Sequence, residues 1–179
     1  MGAIFVPFFD AMKKSVRNLT SGAIIAALYV VLTYMQNLLL PGSTSMAIQF
    51  RVSEALCVLA FFTPAAIWGL GVGCLLFNIT NAGALPLDTI IGTVATLLAT
   101  GGMYLCRKVR IKSYPLLGML FPAIFNGLLV GWELAIYIGG GFWLNALYVA
   151  IGELAVLLVL GTALYYAFYR RNLQNKIFS

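Results

Sequence analysis

Long apolar runs along this chain are broken by short clusters of glycine, proline and polar residues, and most charges fall in or beside the breaks. The first run, Leu19 to Leu40, ends at Pro41-Gly42 and is followed by the polar stretch Ser43–Gln49. Two shorter runs come next, Val52–Phe62 and Ala65–Ile79, separated by Thr63-Pro64. Each is marginal against the roughly 20 residues that cross about 30 Å of hydrocarbon. They read as two short spans, with a single re-entrant pair as the alternative. Three longer runs complete the chain: Leu87–Cys106, Pro115–Ile138 (stopping at Gly139-Gly140-Gly141) and Phe142–Tyr169. Helices are predicted throughout, because backbone groups away from water must be bonded within their own segment.

The pattern gives an all-α membrane protein, a bundle of six transmembrane helices over residues 19–170. An interfacial arm at 1–18 precedes it and a tail at 171–179 follows. Composition agrees: 62% of residues are hydrophobic and 9% charged, against about 25% charged in a soluble domain. Such a chain cannot cover itself with polar surface, so the bilayer is its solvent. A β-barrel would need short alternating strands instead. Ten of the 11 lysines and arginines lie in clusters at 13–17, 107–112 and 170–176. Six crossings put all three clusters on one side, which the positive-inside rule makes the cytoplasm, together with both termini. The formal charge of +6 is then a topology signal facing anionic headgroups, not a nucleic-acid patch. In the arm, Phe5, Phe8 and Phe9 precede Lys13, Lys14 and Arg17, an order suited to the membrane surface.

Small residues recur at four-residue spacing: Gly22/Ala26, Ala23/Ala27, Gly69/Gly73 and Gly127/Gly131. Such pairs let helices approach closely where lipid supplies no hydrophobic drive. Most would close the bundle internally. The face on the first span (Gly22, Ala23, Ala26, Ala27) would also suit another membrane subunit.

Four carboxylates interrupt the apolar runs: Glu54, Asp88, Glu133 and Glu153. Glu133 lies about 9 Å below Gly139, and Glu153 is near the midplane. A carboxylate at that depth is costly unless paired, protonated or facing a water-filled cavity, so function is the default reading. Asn126, Glu133 and Tyr137 share a face of the fifth helix, and Asn145 and Glu153 lie along one face of the sixth. Asn78 closes the third span on the same outer side. Arg51, the remaining basic residue, falls there too, and with the four acids gives +1 − 4 = −3 if all are ionised. The expectation is an acidic cavity, open to the outer face, that captures a solute. Gln49 and Asn126 offer the paired donor and acceptor that suit a nucleobase edge. Trp132 and Trp143 flank the outer boundary, where an aromatic belt competes with stacking on a flat ligand. Two plainer roles compete as well: Asp88, following Pro86, would cap the fourth helix, and Glu54 would pair locally with Arg51 three residues earlier.

Other chemistry is largely excluded. Cys57, Cys74 and Cys106 form no CxxC and read as small core residues. There is no histidine and no GxxxxGK[ST] phosphate loop. No cofactor, metal or enzymatic activity is expected, and ATP-driven transport would require ATPases on other chains.

Several segments in order resemble the QueT family: Gln49-Phe50-Arg51-Val52-Ser53-Glu54-Ala55-Leu56, Phe62-Thr63-Pro64-Ala65-Ala66-Ile67-Trp68-Gly69, Gly73-Cys74, Asp88-Thr89-Ile90-Ile91-Gly92-Thr93-Val94-Ala95-Thr96, and Asn126 through Glu133. The resemblance implies a six-helix S component of an energy-coupling factor (ECF) transporter, binding a queuosine precursor. Such precursors are 7-deazaguanines: the aminomethyl form (pre-queuosine), the cyano form and queuine. It also implies a transmembrane T component and two ABC-type ATPases as partners, and toppling of the S component to deliver its ligand. Ala23 and Ala27 would then face the T component. A guanine-like edge suits a carboxylate, and the aminomethyl form is a cation. On this reading one of Glu54, Asp88 and Glu133 takes the guanine edge while another neutralises the amine. Arg51 orients a carboxylate or binds a ligand carbonyl. A stand-alone transporter coupled to protons through Glu133 or Glu153 is the runner-up, though 179 residues lack the paired halves common in that class. An enzyme using two glutamates has neither nucleophile nor metal motif to support it.

Overall fold

The structure is a computed structural model describing residues 5–41, 43, 50–81, 84–112 and 114–178, with side chains from Met12 onward except that of Asn175. Helix α1 runs unbroken from Phe5 to Leu39. The expected arm and first span are therefore continuous, since no glycine or proline stands between Met12 and Gly22 to stop the helix. A 3-10 helix, Val52–Phe61, follows. Then come α2 (Ala65–Thr80), α3 (Asp88–Leu105), α4 (Leu116–Tyr137) and α5 (Phe142–Val156). A π-helical turn, Leu157–Gly161, joins α5 to α6 (Thr162–Arg170), and a short α7 (Leu173–Ile177) ends the chain. Among the described residues there is no β-strand, only an isolated bridge between Ile111 and Tyr114.

Four helical stretches are long and apolar enough to cross a membrane: Met12–Leu39, Asp88–Lys108, Leu116–Tyr137 and Phe142–Arg170. The two shorter runs differ from one another. α2 is a 16-residue α-helix, whereas Val52–Phe61 is a 3-10 helix with every residue from Ser53 to Phe61 buried. The second expected span thus has almost no face for lipid. Apart from Ser53 and Glu54 at its start the element is apolar on every face, which suits the inside of a fold, and it forms the axis of the bundle, touching α1 through α6. A 3-10 helix rises about 2.0 Å per residue against about 1.5 Å for an α-helix, so its few residues reach further.

Contacts between named residues fix the directions. Gly22 meets Trp68, Gly73 meets Tyr29, and Tyr34 meets Phe77 and Thr80, so α1 and α2 run parallel. The 3-10 helix runs back between them, its Ser53 and Glu54 against Thr33 and Tyr29. α3 opposes α2, with Asp88 at Asn78 and Leu97 at Gly71. α4 and α5 are antiparallel and tightly joined, Gly131 lying against the backbone of Ala146. At Gly69 the fit is just as tight: a Cβ there would strike the Gly22 carbonyl of α1. Glycine is required at both crossings because backbone occupies the place of a side chain. Gly22 and Ala26 are buried in this internal seam, so of the four small residues expected to face another subunit only Ala23 and Ala27 remain exposed.

One end of the axis is aromatic. Tyr165, fully buried, packs against Phe61, Phe62, Tyr114 and Tyr169 at ring-centroid distances of 5.4 to 6.0 Å. Arg110 lies over Tyr169 and Arg170 over Tyr166, bringing two of the basic clusters to this end. The other end holds the carboxylates.

Candidate functional site

Each of the four acids reaches the polar end on a different element. Glu54 sits in the first turn of the 3-10 helix, Asp88 in the first turn of α3, Glu133 near the end of α4 and Glu153 towards the end of α5. All four, with Arg51, Asn78, Asn126 and Asn145, are buried. The apolar exteriors of the helices force this, because a charge facing lipid would cost several kcal/mol (about 2.5–3.5 on insertion scales).

The carboxylates are not equivalent. Glu54 is served from within: the Tyr29 hydroxyl donates to Oε1 at 2.7 Å and the Cys57 thiol to Oε2 at 3.1 Å. Its expected partner Arg51 instead reaches across to Asp88, Nη2 to Oδ1 at 3.9 Å. Arg51 is extended, with φ −118° and ψ 112°, and stands just outside the helix that carries Glu54. The two are therefore not neighbours on a helical face, which removes the local pair expected from their spacing.

Asp88 does not cap the helix as expected. Leu87 stands at the N-cap of α3 with no side-chain cap bond, and Asp88 lies inside the first turn, too late to receive the free helical N–H groups. Its Oδ2 accepts from the Leu85 N–H at 3.2 Å, fixing the turn before α3, while Oδ1 faces Arg51 with no hydrogen-bond partner among the described residues. Asn78 donates through Nδ2 to the Asp88 carbonyl at 2.8 Å, leaving its own Oδ1 buried and unpartnered.

The Glu133 carboxyl lies beside that of Asp88, within electrostatic reach of Arg51. Among the described residues neither of its oxygens has a donor. Two carboxylates side by side are both acceptors and cannot satisfy one another without a proton between them. Asn126, two turns earlier on the same buried face, presents an Nδ2 that is likewise unpartnered. Glu153 adds another unpartnered oxygen, Oε2, with Glu54 and Arg51 nearby. Buried polar atoms are nearly always bonded. The unmatched set, three carboxylates and two amides, is therefore the candidate site among the described residues.

Other expected residues fall elsewhere. Asn145 is buried but occupied locally, donating to the Gly139 carbonyl at 3.0 Å, where Gly139 and Gly140 take positive φ to turn α4 into α5. Tyr137 ends α4 with 42% of its surface exposed; it shares the angular position of Glu133 but is not buried as Glu133 is. Trp132 and Trp143 are 50% and 77% exposed, the latter beside an apolar groove between α4 and α5. None of these three aromatics joins the carboxylate cluster. Gln49 lies outside the described residues.

Sequence reasoning overlooked the polar face of α1. Tyr29, Thr33 and Gln36 are buried and contact the 3-10 segment in turn: Tyr29 binds Glu54, Thr33 Oγ1 meets Ser53 Oγ at 2.8 Å, and Gln36 bonds Phe50 and Val52. Their spacing, i, i+4, i+7, is the signal that was available.

Comparisons with known proteins agree with the resemblance. Residues 19–170 match the QueT transporter family. The Queuosine precursor transporter QueT of Lactococcus lactis subsp. cremoris (strain MG1363) is 38% identical over 91 residues, 49% of this chain and 50% of that protein. The matched region thus spans half the length of that relative. No solved structure matches. With most of its length matched, including every residue of the carboxylate cluster, the chain belongs to the QueT transporter family, a family of membrane transporters and not of enzymes.

Proposed function

We propose that this protein is the substrate-capturing S component of an ECF-type importer and that its ligand is a queuosine precursor, a 7-deazaguanine. The observation that carries the reading is the buried set of acceptors without a donor on Glu133 and Asp88, with the spare Asn126 donor two turns earlier on α4. A 7-deazaguanine offers the complement: a ring N–H and an exocyclic amine for a carboxylate, and a carbonyl for a donor. Glu133 and Asp88 take the N–H-rich edge or the ammonium of the aminomethyl form, and Arg51 or Asn126 takes the carbonyl. Glu54, already occupied by Tyr29 and Cys57, holds the axis in place. The name of the lactococcal relative supports this substrate class.

In the plasma membrane the chain crosses six times, α2 and the 3-10 helix included, with the basic clusters and both termini in the cytoplasm. The carboxylate end opens outward. Ala23 and Ala27 dock on the T component, and ATP is hydrolysed by partner ATPases. Calorimetry on the purified protein alone tests the capture step, using aminomethyl-deazaguanine, cyano-deazaguanine, queuine, guanine and riboflavin. Tight one-to-one binding of a deazaguanine is expected. Binding of riboflavin alone, or of nothing in the panel, would remove the substrate assignment.

A further inference from the structure

Gln36 occupies an unusual position beside the carboxylate cluster. Its single amide bonds both peptide units that flank Arg51: Nε2 donates to the Phe50 carbonyl at 2.6 Å, and Oε1 accepts from the Val52 N–H at 2.6 Å. Nε2 also donates to Ser43 Oγ at 2.9 Å. The side chain is 5% exposed. An amide that donates and accepts in this way replaces a neighbouring strand for one residue, and Arg51 is indeed extended. The 3-10 helix begins immediately after, with the Glu54 N–H bonding the Arg51 carbonyl at 2.9 Å. Arg51 is thus clamped on both sides of its Cα, and from that fixed base its guanidinium crosses to Asp88. Every other lysine and arginine belongs to an end cluster, so Arg51 is the cation the carboxylates have.

We propose that Gln36 is the positioning residue for Arg51, fixing the backbone from which this cation meets Asp88 and, through it, the ligand. The geometric part stands on the contacts above, while the effect on affinity rests on the deazaguanine site proposed in the preceding section. A role confined to closing the 41–50 segment would predict lost stability but no dependence on the arginine.

The test compares the intact protein with Gln36→Met, which keeps the length of the side chain and removes its hydrogen bonds. Phenylglyoxal modification of each arginine is followed by peptide mass spectrometry. Arg51 should react about tenfold faster in the variant, the loss of roughly one strong hydrogen-bonding arrangement, with Arg107 and Arg170 unchanged. An unchanged Arg51 rate in a folded variant overturns the assignment. Should Gln36→Met fail to fold, Gln36→Glu decides by the same readout, because it keeps the acceptor for Val52 but loses both donors. A double-mutant cycle with Arg51→Met then reads affinity for aminomethyl-deazaguanine. Gln36→Met should weaken binding about tenfold when Arg51 is present and less than about twofold when it is not. Equal losses in both backgrounds overturn the link to binding. If the unaltered protein binds no deazaguanine, the substrate assignment fails, and Arg51 reactivity alone decides the role of Gln36.

Discussion

The two ends of the central 3-10 helix are equally buried and differently satisfied. At the basic end, Phe61 and Phe62 meet a stack around Tyr165, and the Tyr114 hydroxyl and Thr162 Oγ1 are bonded at 2.5 Å. At the acidic end, Glu133, Asp88, Glu153, Asn78 and Asn126 all keep polar atoms with no hydrogen-bond partner among the described residues. Burial alone therefore does not separate a core from a site. What distinguishes the acidic end is that it holds six of the eight buried side-chain atoms left without a hydrogen-bond partner among the described residues, Arg17 Nε and Gln174 Oε1 being the other two.

The comparison makes the first prediction the largest. Tyr165→Ala removes the centre of the aromatic end and should cost about 3–5 kcal/mol of stability. It should leave the ligand affinity of the remaining folded protein within about twofold. Thermal melting in detergent with parallel calorimetry would show it, and an unchanged melt would erase the contrast between the ends.

Glu133→Gln acts in the opposite sense. It should weaken the aminomethyl ligand by about 100-fold, the cost of a lost charge-assisted pair, and the cyano ligand much less. Stability should hold or rise, because an unpartnered carboxylate leaves the interior. Equal losses for both ligands would sink the charge part of the assignment. Glu54→Gln sits between the extremes: about 1–2 kcal/mol of stability lost as the Tyr29 and Cys57 contacts weaken, with less effect on affinity than Glu133→Gln. Comparable binding losses at both glutamates would mean that the four acids act as one set. Smallest of all, Trp143→Ala should leave affinity within about twofold, since the ring is 77% exposed beside an apolar groove. A larger loss would return this tryptophan to the site.

Much of this was legible from pattern. Apolar run lengths located α3, α4 and the α5–α6 pair to within a few residues, and carboxylates at depth pointed to the cluster, because both follow from the cost of exposing polar groups to hydrocarbon. The 3-10 form of Val52–Phe61 was not legible: a short, mainly apolar run looks alike whether it faces lipid or a ring of helices. Nor was the division of labour among the acids, since Glu54 owes its partners to Tyr29, 25 positions away, and to the turn that brings in Cys57. Tyr137 and Asn145 show the limit of helical angle as a guide. Angle gives the side of a helix a residue occupies, but not whether another element covers that side or a local carbonyl has already claimed the group.

The π-helical turn at Leu157–Gly161 has a consequence for how the last pass keeps both ends in phase. Glu153 and Tyr165 are 165 − 153 = 12 positions apart and both buried, at 5% and 0% exposure. At about 100° per residue an unbroken α-helix would set them about 120° apart. A π turn accommodates one extra residue without advancing the helix, so the effective separation is eleven, or about 20° from alignment. The turn works as a vernier, letting one helix address an acidic end and an aromatic end from the same side. Deleting one residue within it should leave both ends seated, whereas inserting one there would swing one of them outward by about a quarter-turn.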